Sequence, residues 1–312
     1  MLTNLLTTLP IFALILAGWA ARRSEALGAT ATREVNRLVV YLALPALLFD
    51  IMANTSPEEI WQPGFIMAFS AGAAAVFVAT VLIRIRQGKH LPDAAIDALN
   101  ASYPNTGYMG IPLILAVVGP EGVAVTLVSI ILTVCVLFGF AIGLIEAGLQ
   151  AEGAKRNVIG KTLLALGRNP LILAPALGAV VMLTGLPIPD PAQRFLSLLG
   201  AAASPCALIA LGLFLADSAA EARSYSKATV TWLSGLKLFV QPALTWLFAA
   251  KVLGLSPGLT HTVVLLSALP TGTGPFMLAQ FYDREAMITS RVVLFTTIIS
   301  VATLSAYLSA IG

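Results

Sequence analysis

Charge is scarce in this sequence. Asp, Glu, Lys and Arg make up 11% of its 312 residues, against about a quarter in an ordinary soluble domain. There are two His and two Cys. A metal centre or a disulfide framework needs more such residues, at regular spacings that these four lack. Cys135 and Cys206 lie in apolar runs and read as small core residues. No G-x-S-x-G elbow, H-E-x-x-H pair or pair of catalytic Asp residues occurs, which argues against an intramembrane protease. No Walker motif occurs either, so ATP is not the expected energy source. The pI is near 9.0, but the net charge is only +3, too little for a polyanion partner. The expectation is a protein with no cofactor, no metal and no nucleic-acid partner, and not an enzyme.

Apolar residues fill the space. They form 58% of the chain, and mean hydropathy is +0.91. A helix that crosses a bilayer needs roughly 20 mostly apolar residues. Such runs stand at about 4–21, 36–54, 61–83, 94–118, 122–146, 169–186, 194–216, 228–250, 259–281 and 287–310. The predicted class is an all-α polytopic membrane protein with ten transmembrane helices. The first run has no basic segment before it, and Arg22 and Arg23 follow it, unlike a cleavable signal peptide.

The basic residues set the expected orientation. Of the 18 Lys and Arg, fifteen fall in the connections after spans 1, 3, 5, 7 and 9 or, like Arg37 and Arg291, in the span ends beside them. Arg194 and Lys251 fall on the opposite side, and Lys237 lies inside span 8. Basic connections stay in the cytoplasm. Both termini then face outward, and the longest polar connection, 147–168, is cytoplasmic; the membrane expected, from the family resemblance given below, is a bacterial inner (plasma) membrane.

That connection divides the chain into residues 1–146 and 169–312, each with five spans. An odd number of spans places the halves in opposite orientations, the layout of an inverted repeat. Pro45 and Pro205, in spans 2 and 7, are 160 residues apart, and Pro104 and Pro270, in spans 4 and 9, are 166 apart. Span 4 carries Tyr103-Pro104-Asn105-Thr106-Gly107-Tyr108-Met109-Gly110-Ile111-Pro112. Span 9 carries Leu269-Pro270-Thr271-Gly272-Thr273-Gly274-Pro275. Proline removes a backbone donor, and glycine costs about 1 kcal/mol in a helix interior. Pro104, Pro112, Pro270 and Pro275 are therefore expected to break or kink both helices. Non-helical backbone at membrane depth survives only where protein or a water-filled cavity satisfies it. Free N–H groups beyond each break would favour an anion.

The run Asn105 to Pro112 resembles the signature of the auxin efflux carrier family. Leu44-Pro45-Ala46-Leu47-Leu48-Phe49, Leu236-Lys237-Leu238 to Gln241-Pro242, and Phe295-Thr296-Thr297 to Ser300-Val301-Ala302-Thr303-Leu304 agree in order. The resemblance covers essentially the whole chain. It implies a fold similar to that of the bile acid:sodium symporters, with two inverted five-helix repeats and spans 4 and 9 broken and crossing. It implies a homodimer, and a small carboxylate such as malonate or malate as substrate. Auxin itself is not implied, because the long central loop of the plant carriers is missing. The resemblance puts Asn105 beside the substrate carboxylate, with Thr106, Gly107 and Tyr108 supplying a hydroxyl, a close backbone approach and a wall. In span 9, where the pattern is looser, Thr271 and Thr273 are the chosen hydroxyls. Asn100 is expected to bond within span 4.

Lys237 is costly inside a span and has two readings: a gating or coupling charge, or a structural lysine paired to a carbonyl or carboxylate. Asp50 reads as an interfacial carboxylate, and Arg84 and Glu146 as span ends. The expected function is secondary-active or facilitated transport of small organic anions by alternating access. The coupling partner, a proton, a sodium ion or neither, is not legible. A channel or uniporter using similar parts is the alternative, and an intramembrane enzyme a remote one.

The orientation is testable. Ser56→Cys and Gly153→Cys, each in a background without Cys135 and Cys206, should label from opposite sides. Ser56→Cys should react with an impermeant reagent from outside, and Gly153→Cys only after permeabilisation. Labelling of both from outside overturns the assignment.

Overall fold

The computed structural model describes residues 2–153, 167–220 and 225–311. Most of the connection assigned above to 147–168 lies outside the described residues. The described chain is helical, with no strand among its described residues. Its main helices are α1 (Leu2–Arg23), α2 (Ala31–Ala53), α3 (Pro63–Arg86), α4 (Leu91–Ser102), α5 (Ile111–Val117) and α6 (Val123–Ala151). They are followed by α7 (Pro170–Thr184), α8 (Asp190–Asp217), α9 (Lys227–Val252), α10 (Pro257–Ser267), α11 (Gly274–Phe281) and α12 (Ala286–Ile311). Six of these, α2, α3, α6, α8, α9 and α12, are long and apolar enough to cross a membrane. The runs at 94–118 and 259–281 are each split in two, into α4 with α5 and α10 with α11, and no half is long enough to span alone.

The helices sort into two groups by contact. In one, α1 packs on α8, and α2 packs on α7 and α8. In the other, α4 packs on α3 and α6, α9 on α3, α10 and α12, and α11 on α12. The groups touch where α1 meets α5 and α12, and where α11 meets α2. A buried hydrogen bond, Asn36 Nδ2 to the Met277 carbonyl at 3.4 Å, crosses that junction.

Within lipid, apolar tails do not drive helices together, so close backbone packing through small residues does much of the work. The α1–α8 pair depends on it. A Cβ built on Gly18 would lie 2.2 Å from the Ile209 carbonyl oxygen, and one on Gly212 would lie 2.0 Å from that of Ile15. The charges that the apolar body excludes gather at helix ends. Arg84 and Asp97 form a buried ion pair at 2.6 Å, Arg284 meets Asp93 at 3.3 Å, and Lys89 bonds Glu285. These pairs tie the start of α4 to the end of α3 and to the turn before α12. In that turn Asp283 and Glu285 both adopt left-handed backbone, with φ of 52° and 53°. Asp50 accepts from Asn54 at 2.8 Å and from Gln193 at 2.5 Å at the end of α2. Cys135 and Cys206 are free and half-buried against the core.

The α1–α8 contact predicts a sharp contrast. Gly212→Ala should destabilise by about 1–3 kcal/mol, because the obstacle is backbone and cannot swing aside. Gly143→Ala, where a Cβ meets nothing within 4 Å, should leave the detergent melting temperature unchanged. Equal melts for both variants would show that α1 and α8 are not held in this contact.

Candidate functional site

Two interrupted helices meet at their interruptions. The chain leaves α4 at Tyr103, and Pro104 cannot donate to continue it. Further along, the same chain leaves α10 after Ser267 and passes through Pro270. Residues 104 and 271 then pair as an isolated antiparallel bridge. Asn105 N donates to the Pro270 carbonyl at 2.8 Å, and Gly272 N donates to the Tyr103 carbonyl at 3.1 Å. Each break therefore satisfies backbone groups that the other exposes.

Side chains satisfy the carbonyls left over at the two helix ends. Thr271 Oγ1 donates to the Asn100 carbonyl at 2.8 Å, and Gln241 Nε2 donates to that of Ser102 at 2.9 Å. Lys237 Nζ donates to the Ser267 carbonyl at 2.7 Å. Lys237 and Gln241 lie one turn apart on α9 and are fully buried. α9 thus caps the ends of both half-helices, and the ammonium sits at the negative end of α10, where a cation is favoured. Asn100 departs from expectation. It reaches out of its own helix, donating to Thr289 Oγ1 on α12 at 3.0 Å.

Tyr103 shows why Gly is required in the second break. A Cβ on Gly272 would lie 2.8 Å from the Tyr103 ring, and one on Gly274 would lie 2.7 Å from it. Beyond the crossing, α5 follows a π-helical turn over Thr106–Gly110, and α11 starts at Gly274. Pro112 and Pro275 stand in the first turns of α5 and α11, where the missing N–H is not needed. They open the second halves, while the gaps themselves hold Pro104 and Pro270. The N–H groups of Gly107 and Tyr108 come too early to find a helical acceptor behind them.

A small cavity of about 50 Å³ lies against the crossing, room for a few waters. From the breaks it is lined by Asn105, Gly107, Thr273 and Gly274; from the other helix group come Leu44, Leu47, Ala203 and Ser204. Among the described residues the Asn105 amide makes no hydrogen bond, so its donors are available to the cavity. A Cβ on Gly107 would meet nothing within 4 Å, so a side chain there would take up cavity space.

The structure brings together Asn105, Gly107 and Thr273 of the residues expected from sequence. Thr271 is different: its hydroxyl is committed to Asn100 and its N–H to Thr296 Oγ1 at 3.1 Å, so it fastens the crossing and does not line the cavity. The Thr106 hydroxyl is fully buried away from the cavity, with no partner among the described residues. The Tyr108 and Pro112 side chains lie outside the described part of the structure. Ser204 and the capping role of Gln241 were not foreseen. Ser204 precedes the Pro205 that was noted, so the signal was a hydroxyl beside a repeat-marking proline.

This geometry can be set beside known proteins. Residues 4–308 match the family described as Membrane transport protein. The chain belongs to this family, the auxin efflux carrier-like transporters. It is similar to the "Putative malonate transporter" of Rhizobium meliloti (strain 1021), 30% identical over 96% of this chain and 93% of the relative. The "Uncharacterized transporter YfdV" of Escherichia coli (strain K12) is 26% identical over 88% of this chain and 87% of its own. "Auxin efflux carrier component 8" of Arabidopsis thaliana is 25% identical over 96% and 95%. The protein is accordingly a membrane transporter, and its family is one of transporters, not enzymes.

The Lys237 geometry predicts a structural phenotype. Lys237→Met leaves the Ser267 carbonyl buried and unpaired, at about 1–3 kcal/mol. The melting temperature should fall and ligand binding should fall with it. A variant with a normal melt, normal binding and slowed transport would instead make Lys237 a gating or coupling charge.

Proposed function

We propose that this transporter is a secondary carrier of small carboxylates that works by alternating access. One observation carries the reading: two broken helices are fastened to each other at residues 104 and 271, with uncommitted neutral donors facing one cavity. Broken helices at a midplane site are a recurring device of secondary transporters. Asn105 supplies amide donors, Thr273 a hydroxyl, and Gly107 and Gly274 bare backbone. A carboxylate bound there accepts hydrogen bonds without forming an ion pair that would resist release. The relative named for malonate supports a carboxylate as cargo.

In this reading the ten runs are ten spans. Residues 1–146 and 169–312 are inverted repeats, and 147–168 is the cytoplasmic connection between them. Both termini face outward, in the inner membrane. The group holding the breaks moves against the group built on α2 and α8, and the cavity between them opens to each side in turn. Two copies form the working dimer. Saturable uptake into vesicles with counterflow separates a carrier from a channel. Repeating the uptake with imposed proton and sodium gradients identifies any coupling ion.

The binding test centres on Asn105. A hydrogen bond to a charged group contributes about 1.5–3 kcal/mol, so Asn105→Ala should weaken carboxylate binding by roughly 10- to 100-fold. Asn105→Asp should be worse, because it sets a second negative charge in a poorly hydrated site. Gly107→Ala should weaken binding by filling cavity space. Calorimetry with malonate and its half-ester, beside ligand-free melts, measures all three. Parent-like affinity in a folded Asn105→Asp protein removes Asn105 from the site.

A further inference from the structure

The cavity has two chemically different walls, and this bears on the number of charges its ligand carries. The wall made by the breaks and the helices beside them carries the cavity's cluster of polar groups, Asn105, Thr273 and the backbone of Gly107 and Gly274, set among Tyr103, Pro104, Val134 and Met277. The facing wall, from α2 and α8, is Leu44, Leu47 and Ala203, with Ser204 as its one polar side chain among the described residues. No Lys, Arg or His is among the lining residues described. The nearest buried ammonium along the crossing, that of Lys237, is turned to the Ser267 carbonyl. All side-chain donors lining the cavity among the described residues are therefore neutral, and all but the Ser204 hydroxyl sit on one side.

A carboxylate on the polar wall keeps hydrogen bonds in exchange for the water it loses. A second carboxylate on the same small molecule would meet Leu44 and Leu47. It would lose its hydration with at most the Ser204 hydroxyl in return, and it would repel the first charge in a cavity with no cation. Unpaired buried charge is strongly disfavoured. A short apolar tail has the opposite balance, since it leaves water for an apolar wall.

Resting on the carboxylate-carrier reading, we infer that the site selects compact monocarboxylates over dicarboxylates, and that Leu44 and Leu47 on α2 set this selectivity. The cargo would then differ in charge from the fully ionised malonate that names one relative.

Malonate and monomethyl malonate make a matched pair, with the same carbon frame and two charges against one. Their affinities should be compared by calorimetry on the purified full-length protein at neutral pH and constant ionic strength. The half-ester should bind at least about tenfold tighter. Malonate affinity should rise as mild acidification removes its second charge, while that of the half-ester stays level. Leu47→Arg should cut the ratio by about tenfold or reverse it, by giving the second carboxylate a partner. Should that variant fail to fold, Leu47→Gln serves, with a smaller change in the same direction. Malonate binding as tightly as the half-ester in the parent overturns the selectivity and leaves the carrier reading standing. If neither anion binds a protein that melts normally, the carboxylate site itself is wrong, and both readings fall together.

Discussion

A backbone that stops being helical inside an apolar body must find partners for its N–H and C=O groups, because no bulk water will supply them. That requirement governs this structure. Breaking one helix would leave exposed carbonyls at the end of the first half and exposed donors at the start of the second. Breaking two and laying the breaks against each other lets Asn105 N and Gly272 N find the carbonyls of Pro270 and Tyr103. The remaining carbonyls, of Asn100, Ser102 and Ser267, take Thr271, Gln241 and Lys237. Of the donors this scheme leaves uncommitted, the Asn105 amide and the Thr273 hydroxyl line the cavity, while the Thr106 hydroxyl is buried away from it. The site is the part of the crossing that the protein does not satisfy itself.

Much of this was legible from sequence because it rests on composition. Proline and glycine cannot sit unnoticed inside a twenty-residue apolar run, so Pro104 and Pro270 mark the breaks without any knowledge of packing. The positions of ten apolar runs follow from the same contrast, and each coincides with one helix or one broken pair. Pro112 and Pro275 were harder to place, since proline is equally at home in the first turn of a helix as in a gap. What could not be read was which polar group faces which. Thr271 and Thr273 are two residues apart in the same break, yet one hydroxyl fastens the crossing and the other faces the cavity. That choice depends on where α4 and α12 lie, several helices away in sequence. Ser204 was missed for a related reason: it enters the cavity from the opposite helix group, and its one local signal, the neighbouring Pro205, does not say which way its hydroxyl faces.

Lys237 illustrates how a buried charge changes meaning once its partner is known. Alone in a span it suggests a moving or coupling charge. Set against the Ser267 carbonyl it completes a helix terminus, and the α10 dipole favours its charge. It also belongs to a pair. Gln241, one turn further along α9, does for α4 what Lys237 does for α10. One helix therefore holds both half-helix ends in place, which ties the two breaks to a common support. Changes on α9 should then be felt at the site although no α9 residue lines it.

The division of the cavity between two helix groups gives the architecture its functional logic. A ligand held wholly by the group carrying the breaks would have no reason to respond to the other group. Here Leu44, Leu47, Ala203 and Ser204 close the cavity from α2 and α8, so occupancy and the relation between the groups are linked. Among the described residues the polar contacts at the junction include Asn36 to the Met277 carbonyl and Asn169 to the Tyr282 hydroxyl, both long at 3.4 Å. Inside each group the joints are of another kind. Gly18 and Gly212 admit backbone contact between α1 and α8, and the buried Arg84–Asp97 pair locks α4 to α3. The described polar and backbone-close joints are thus concentrated within the groups, while the junction between them is mainly apolar, as where Phe214 meets Phe276. The cavity lies on that junction, lined from both sides.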